Sequence, residues 1–323
     1  MPRDNRQPPP PHLSTLTAGA DRFPARYLSA KKEVDDRALN RLVWEKLRQT
    51  LPQTAGREPV SILEIGAGIG TMLARVVDWG LLTGDAIYAI TDSAEDHFPE
   101  GRKYLSRWAR QRGHHLSWID QRHGRLITAG ADVRLAFGAA SVQALADGSG
   151  PPGLFHLLIA HAVLDLIDFP VLLPKLLQRL HQNGLAYLTC NFDGETLFLP
   201  EDPGPEEKKI LTGYHASMEA RLSGASVTGR RLLAFLHRPE LDLLAAGSSD
   251  WIIHPRNGHY TTEETFFLNA MVAMVERELT GKPTDATAGL SAWTALRRRQ
   301  IQAGELTFLA RHLDVLARRR PLS

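Results

Sequence analysis

Hydrophobic positions along this chain change period near residue 60. Before it, over 33–51, Leu39, Leu42, Val43, Leu47 and Leu51 recur at helical spacing, which predicts one amphipathic helix. After it, short apolar runs alternate with helical ones. The pattern predicts strands at 60–65, 86–91, 133–137, 155–160 and 185–192. Helices are predicted between them at 70–82, 100–112 and 170–181, the last stopped by Asn183 and Gly184. Further on come helices at 206–222 and 229–236, a sixth strand at 250–254, helices at 262–280 and 291–302, and a seventh strand at 305–312. Strands separated by helices argue for an α/β fold: a doubly wound, mostly parallel, seven-stranded sheet with helices on both faces.

The first strand runs into S-I-L-E-I-G-A-G-I-G-T-M-L, residues 61–73. This reads as a strand, a tight glycine turn and a helix start. Glycines let a backbone approach a ligand that a Cβ would block. The turn falls at the carboxyl end of the first strand, where doubly wound sheets bind nucleotide-like ligands. The second strand ends at Asp92. An acid there can accept both hydroxyls of a ribose, although D-S-A-E-D is also a good helix start.

The glycines of G-A-G-I-G lie two apart and Glu64 precedes them, unlike the G-x-G-x-x-G of dinucleotide sites. This resembles motif I of the class I S-adenosylmethionine-dependent methyltransferases. The resemblance covers 60–192 well and 250–312 loosely. It implies S-adenosylmethionine as cofactor, held by Glu64, Gly66, Ala67, Gly68 and Gly70, with Asp92 on the ribose. No acid follows the third strand, so the adenine would meet backbone near Ala139. The fourth strand, F-H-L-L-I-A-H-A-V, resembles motif IV and brings Ala160 and His161 to the cofactor edge. His161 either accepts a proton or packs under the adenosine.

Composition narrows the class. The 323 residues suit one large domain, and 43% hydrophobic and 23% charged residues are those of an ordinary globule. A net charge of +2 gives no field for nucleic acid or an anionic membrane. The basic runs 297–299 and 318–320 read as solvated ends. One cysteine, Cys190, permits neither a disulfide framework nor a cysteine-based metal site, and no metal is expected. No apolar run is long enough to span a bilayer, and the polar, Pro-rich 1–22 lacks a secretory apolar core, so a cytoplasmic protein is expected.

Residues 1–22 are expected to be a disordered tail and 23–323 a single domain. Two inserts interrupt it, a lid at 193–229 and a helical insert at 256–304 that forms a pocket wall or a homodimer contact. In small-molecule methyltransferases such extra segments cover the acceptor. The resemblance therefore makes Tyr27, Asn191, Asp193, Tyr214 and His215 candidate substrate residues, with His161 and His215 the candidate catalytic bases. Arg26, Lys31 and Lys32 are further candidates to face the site. A-H-A-V stands where a base-directed enzyme would carry N-P-P-Y, which favours a small organic acceptor with a hydroxyl, amine or acidic carbon. A non-catalytic S-adenosylmethionine-fold binding protein and, less so, an NAD-dependent oxidoreductase are the alternatives.

Overall fold

The computed structural model describes residues 23–202, 205–220, 225–281 and 289–321; the expected 1–22 tail lies outside them. The amino-terminal pattern resolves into two helices, α1 (Ala25–Ala38) and α2 (Arg41–Ala55), rather than one. Asn40 makes the break: its side chain accepts from the Leu42 and Val43 amides and caps α2. The restart shifts the helical phase, so Leu42 faces solvent while Val43, Leu47 and Leu51 are buried.

The alternating core follows. It comprises β1 (Val60–Ile65), α3 (Thr71–Asp78), β2 (Gly84–Asp92), α4 (His97–Arg112), β3 (His115–Trp118), β4 (His123–Ile127) and β5 (Ala131–Ala139). Then come α5 (Val142–Ala146), β6 (Phe155–His161), α6 (Phe169–Leu177) and β7 (Leu180–Leu199). The chain continues through α7 (Pro205–Glu219), α8 (Thr228–Phe235), β8 (Leu241–Ser248), β9 (Trp251–Ile253), α9 (Thr262–Leu279), α10 (Leu290–Ala303) and β10 (Thr307–Arg319).

The strands of the described residues form one sheet in the order β3-β4-β5-β2-β1-β6-β7-β10-β8, with β9 also on β10. The central five, β5-β2-β1-β6-β7, are parallel. β10 runs antiparallel between β7 and β8. These seven strands are the expected sheet, and their inner members are buried along most of their length, as two covered faces require.

Four details depart from the pattern. The β3–β4 hairpin extends the sheet beyond β5 and was not foreseen. The sixth strand is Leu241–Ser248, and the predicted 250–254 segment is only the short β9 against the start of β10. β7 begins at Leu180 and continues to Leu199, so the first residues of the supposed lid insert are strand. Arg297 is not a solvated end: it is fully buried and donates to Glu207, to the Pro200 carbonyl at 2.8 Å and to Gln300 at 2.8 Å.

Helices α2, α3 and α4 cover one face of the sheet, and α5, α6 and α8 the other. A third apolar core lies past the carboxyl ends of the parallel strands. It joins Tyr27 and Val34 of α1, Ile210 and Tyr214 of α7, Phe267 and Met271 of α9, and Trp293 of α10 to Phe192, Phe198, Trp251 and Phe308. The amino-terminal helix and the two inserts are thus one helical cap with its own aromatic centre.

Candidate active site

Gly66, Gly68 and Gly70 in the turn between β1 and α3 have positive φ, and the first two have the closest neighbours. A Cβ on Gly66 would stand 2.5 Å from Val163 Cγ2, and one on Gly68 2.7 Å from Leu28 Cδ1. Only glycine fits at either place. The Gly68 amide donates to Asp92 Oδ2 at 2.7 Å, and the Ala94 amide donates to Asp92 Oδ1 at 2.8 Å. Burial pushes the Asp92 carboxyl up, but the His97 ring and these two amides outweigh it and hold it below its ordinary range. Asp92 is therefore an anion fixed beside the glycine turn. A carboxylate has about four acceptor positions; with the two amides and the His97 ring 3.4 Å from Oδ1, capacity for a further donor remains.

Glu64 differs. It is buried, accepts the Tyr88 hydroxyl at 2.7 Å, and burial pushes its carboxyl up to about 8. Its carboxyl is thus bound within the sheet and protonated at neutral pH. At the neighbouring edge Asp92 pairs with Ala139 in register, and the Ala140 amide donates to the Asp92 carbonyl at 3.0 Å. Ala139 is exposed there, and Ala67 and Ala160 are buried.

His161 ends β6 in a buried polar centre between sheet and cap. Its Nε2 lies 2.9 Å from Asp35 Oδ2 and its Nδ1 2.8 Å from Thr189 Oγ1. Nε2 also lies 3.3 Å from the Lys31 ammonium, and the threonine hydroxyl can donate or accept, so either neutral tautomer has partners at both nitrogens. Burial, with Lys31 nearby, lowers the ring to about 4, so it is neutral and already engaged at both nitrogens. Asp35 also accepts from Lys31 at 2.7 and 2.8 Å, from Arg75 at 3.2 Å and from Trp251 Nε1 at 3.0 Å. Burial raises its pKa, but Lys31, His161 and Arg75 together drive it well below the usual carboxylate range. The ligand atoms of Asp35, His161 and Cys190 lie within 4.8 Å of one another. The Lys31 ammonium and the Arg75 guanidinium on Asp35 make that trio a poor cation site.

The backbone is strained at the same edge. Ala162 and Cys190, the residues after the paired His161 and Thr189, have φ of 55° and 53°. Side chains rarely tolerate this region, at a cost of about 1–3 kcal/mol each. The Cys190 amide is held by Asp314 Oδ1 at 2.8 Å, and Asp314 Oδ2 takes the Asn40 amide at 2.8 Å. Burial raises Asp314 to about 6.

The other predicted residues separate into two groups. Tyr27 is buried and stacked between Phe23 and Phe267, at 5.1 and 5.7 Å. Tyr214 and His215 lie in the cap, His215 5.7 Å from the Phe192 ring and with Nε2 buried without a hydrogen-bond partner among the described residues. Phe192 in turn touches His312, which lies against Trp251, so an aromatic wall links His215 to the polar centre. Asp193, by contrast, is tied to Arg230 through backbone and guanidinium at 2.8–3.1 Å. Asn191 donates to the Leu188 and Leu313 carbonyls at 3.0 and 2.9 Å, leaving its Oδ1 buried and unpaired among the described residues. Both hold β7 to its neighbours. Of the basic candidates, Lys31 is buried, whereas Arg26 pairs with Glu263, and Lys32 with Asp36, toward the outside.

Sequence reasoning missed Asp35, Arg75, His97, Trp251 and Asp314 as polar partners at this edge. Lys31 and Asp35 at i and i+4 were the one available signal.

A cleft of about 670 Å3 opens between the end of β7 and α7, lined by Glu195, Thr196, Phe198, Leu211, Thr212 and His215 among others.

No family model matches the chain, and no curated protein matches it. Solved structures do. Protein BH2331 of Bacillus halodurans C-125, provisionally named a methyltransferase, is 11% identical over 85% of this chain and 99% of its own, with a TM-score of 0.46. The plantazolicin methyltransferase BpumL, solved with S-adenosylhomocysteine, is 14% identical over 92% and 95%, with a TM-score of 0.38. The [4+2]-cyclase SpnF is 12% identical over 93% and 94%, with a TM-score of 0.40. These overlaps are too loose to carry residue roles, and they span more than one chemistry. The strand order gives the chain the open, doubly wound Rossmann-like fold expected from its sequence, with the glycine turn and Asp92 together at its carboxyl edge.

Proposed function

We propose that the protein transfers a methyl group from S-adenosylmethionine to a small organic acceptor. The observation that carries this is the Asp92 carboxylate, an anion fixed by the Gly68 and Ala94 amides at the carboxyl edge of β2, with acceptor capacity left over. The residues fit the cofactor: glycines at 66 and 68 give the turn its positive-φ backbone, and Asp92 can accept from the ribose. The cofactor supplies the activated methyl on its sulfonium, so the protein has to align the acceptor and take up a proton.

The acceptor side is assigned to the cap. His215, neutral through burial and with a buried ring nitrogen unpaired among the described residues, borders the cleft of about 670 Å3. It is better placed than His161 to receive an acceptor proton, because both nitrogens of His161 are engaged. A hydroxyl, amine or acidic carbon would each give up its proton as its new bond to carbon forms. Calorimetry with S-adenosylhomocysteine tests the cofactor, and release of that product from S-adenosylmethionine over an acceptor panel tests the transfer. The absence of binding would remove the reading.

One observation favours a second reading, a non-catalytic binding protein. Leu28 of α1 packs on Gly68, and Asp92 is 8% exposed, so the cap lies tightly on the turn. Cofactor binding without turnover on any acceptor would select it.

A further inference from the structure

His97, the first residue of α4, stands between the candidate cofactor site and the start of the cap. Its Nε2 lies 2.9 Å from the Phe23 carbonyl oxygen, and its Nδ1 lies 3.4 Å from Asp92 Oδ1. The second contact is at ion-pair distance without a well-aligned hydrogen bond, and Nδ1 is otherwise buried without a partner among the described residues. Both neighbours are acceptors only. A neutral imidazole has one N–H, so it can donate to one of them while turning a lone pair on the other. The imidazolium donates to both. The side chain is 11% exposed, so water does little to relieve the conflict.

The charges facing His97 are all of one sign. Asp92 at the end of β2 and Asp96 beside it in sequence both favour the proton, and the Phe23 carbonyl adds to them against the cost of burial. The nearest basic residue of α1 in sequence, Arg26, is turned to Glu263 of α9. Phe23 leads directly into the first turn of α1, where the Tyr27 and Leu28 amides donate to the Pro24 carbonyl. Leu28 is the side chain that packs on Gly68.

We propose that His97 is a positioning residue which, doubly protonated, ties Asp92 to the Phe23 carbonyl and so makes the first turn of α1 a pH-sensitive gate over the glycine turn. The proposal rests on the reading of that turn as the cofactor site. The sign follows from the two acceptors. The closed gate binds the proton more tightly than the open one, so closure is favoured below the raised His97 pKa and weakens as pH rises through it. Cofactor entry is slower in mild acid and faster in mild base.

Hydrogen exchange at the Tyr27 and Leu28 amides of the ligand-free protein reads the gate directly. After correction for intrinsic rates, protection should fall as pH rises from 5.5 to 8.5 and the ring loses its second proton. In His97→Gln that fall should vanish. Stopped-flow association of S-adenosylhomocysteine should speed up over the same range in the wild type and stay flat in the variant. An equal pH dependence in both proteins overturns the gate. So does an NMR titration of the wild-type ring that finds His97 neutral at pH 5.5, a measurement that needs no variant. If exchange titrates as stated but S-adenosylhomocysteine does not bind, the gate stands and the cofactor reading falls.

Discussion

Arg75 of α3 reaches across to α1 and donates to Asp36 Oδ1 at 2.5 Å and to Asp35 Oδ2 at 3.2 Å, with its own side chain fully buried. This pair fixes the cap to the helix that begins at the glycine turn. Burial opposes the guanidinium charge, but Asp35 and Asp36 outweigh it and raise its pKa. Removing Asp35 would leave the buried Lys31 without its carboxylate and Arg75 with Asp36 alone. Asp35→Ala should therefore cost about 3–5 kcal/mol of stability. Urea unfolding would detect it, and a loss under about 1 kcal/mol would show that water reaches this centre.

Gly68→Val should abolish S-adenosylhomocysteine binding. The new side chain would collide with Leu28, already 2.7 Å from where its Cβ would sit, and a β-branched residue would strain the positive φ that shapes the turn. Unchanged affinity by calorimetry would place the cofactor elsewhere.

Asp92→Ala should weaken the same binding by about tenfold to a hundredfold, since hydrogen bonds to a charged group contribute about 1.5–3 kcal/mol. It should also loosen the turn, because the Gly68 amide loses its acceptor. A loss below about twofold would leave Asp92 as a helix-start residue only.

Glu64 gives a pH signature. Its folded pKa is raised to about 8 by burial, against an ordinary value near 4.5. The folded state holds a proton that the unfolded state releases between those values, so this group's contribution falls as pH rises from about 4.5 to 8. Glu64→Gln removes the titration while leaving an oxygen for the Tyr88 hydroxyl. The variant should match the wild type at pH 5 and gain on it at pH 9 in urea midpoints. Parallel midpoints at both values would mean the carboxyl is not desolvated.

His215→Ala should reduce turnover by about 10²–10⁴-fold with cofactor affinity nearly intact, if this ring takes the acceptor proton. Full turnover in the variant would leave alignment alone as the source of rate.

The parts of this fold that the sequence makes legible are those governed by local rules. The glycine turn, Asp92 and the parallel strands follow from apolar period and from glycine's freedom at positive φ. The β3–β4 hairpin is hidden because His115–Trp118 and His123–Ile127 are short and polar on the outer face. The sixth strand is misplaced because A-A-G-S-S resembles a loop, and only pairing with β10 makes Leu241–Ser248 a strand. Arg297 looks like a surface residue until Glu207, ninety positions earlier, is brought against it. The polar centre fails for the same reason: Asp35, His161, Trp251 and Asp314 are polar residues far apart in sequence whose meeting is a tertiary event.

The cap draws on both ends of the chain. Tyr27 of α1 stacks on Phe267 of α9, and Arg37 of α1 pairs with Glu264 of α9. During synthesis, α1 leaves the ribosome long before its partner exists. The parallel strands, the glycine turn and Asp92 can assemble while the aromatic side of α1 is still uncovered. Loop closure over that span costs entropy that only the finished cap repays, so cap closure should come late. In that interval Tyr27 and Val34 present an apolar stripe that a chaperone, or a second nascent copy, would find first.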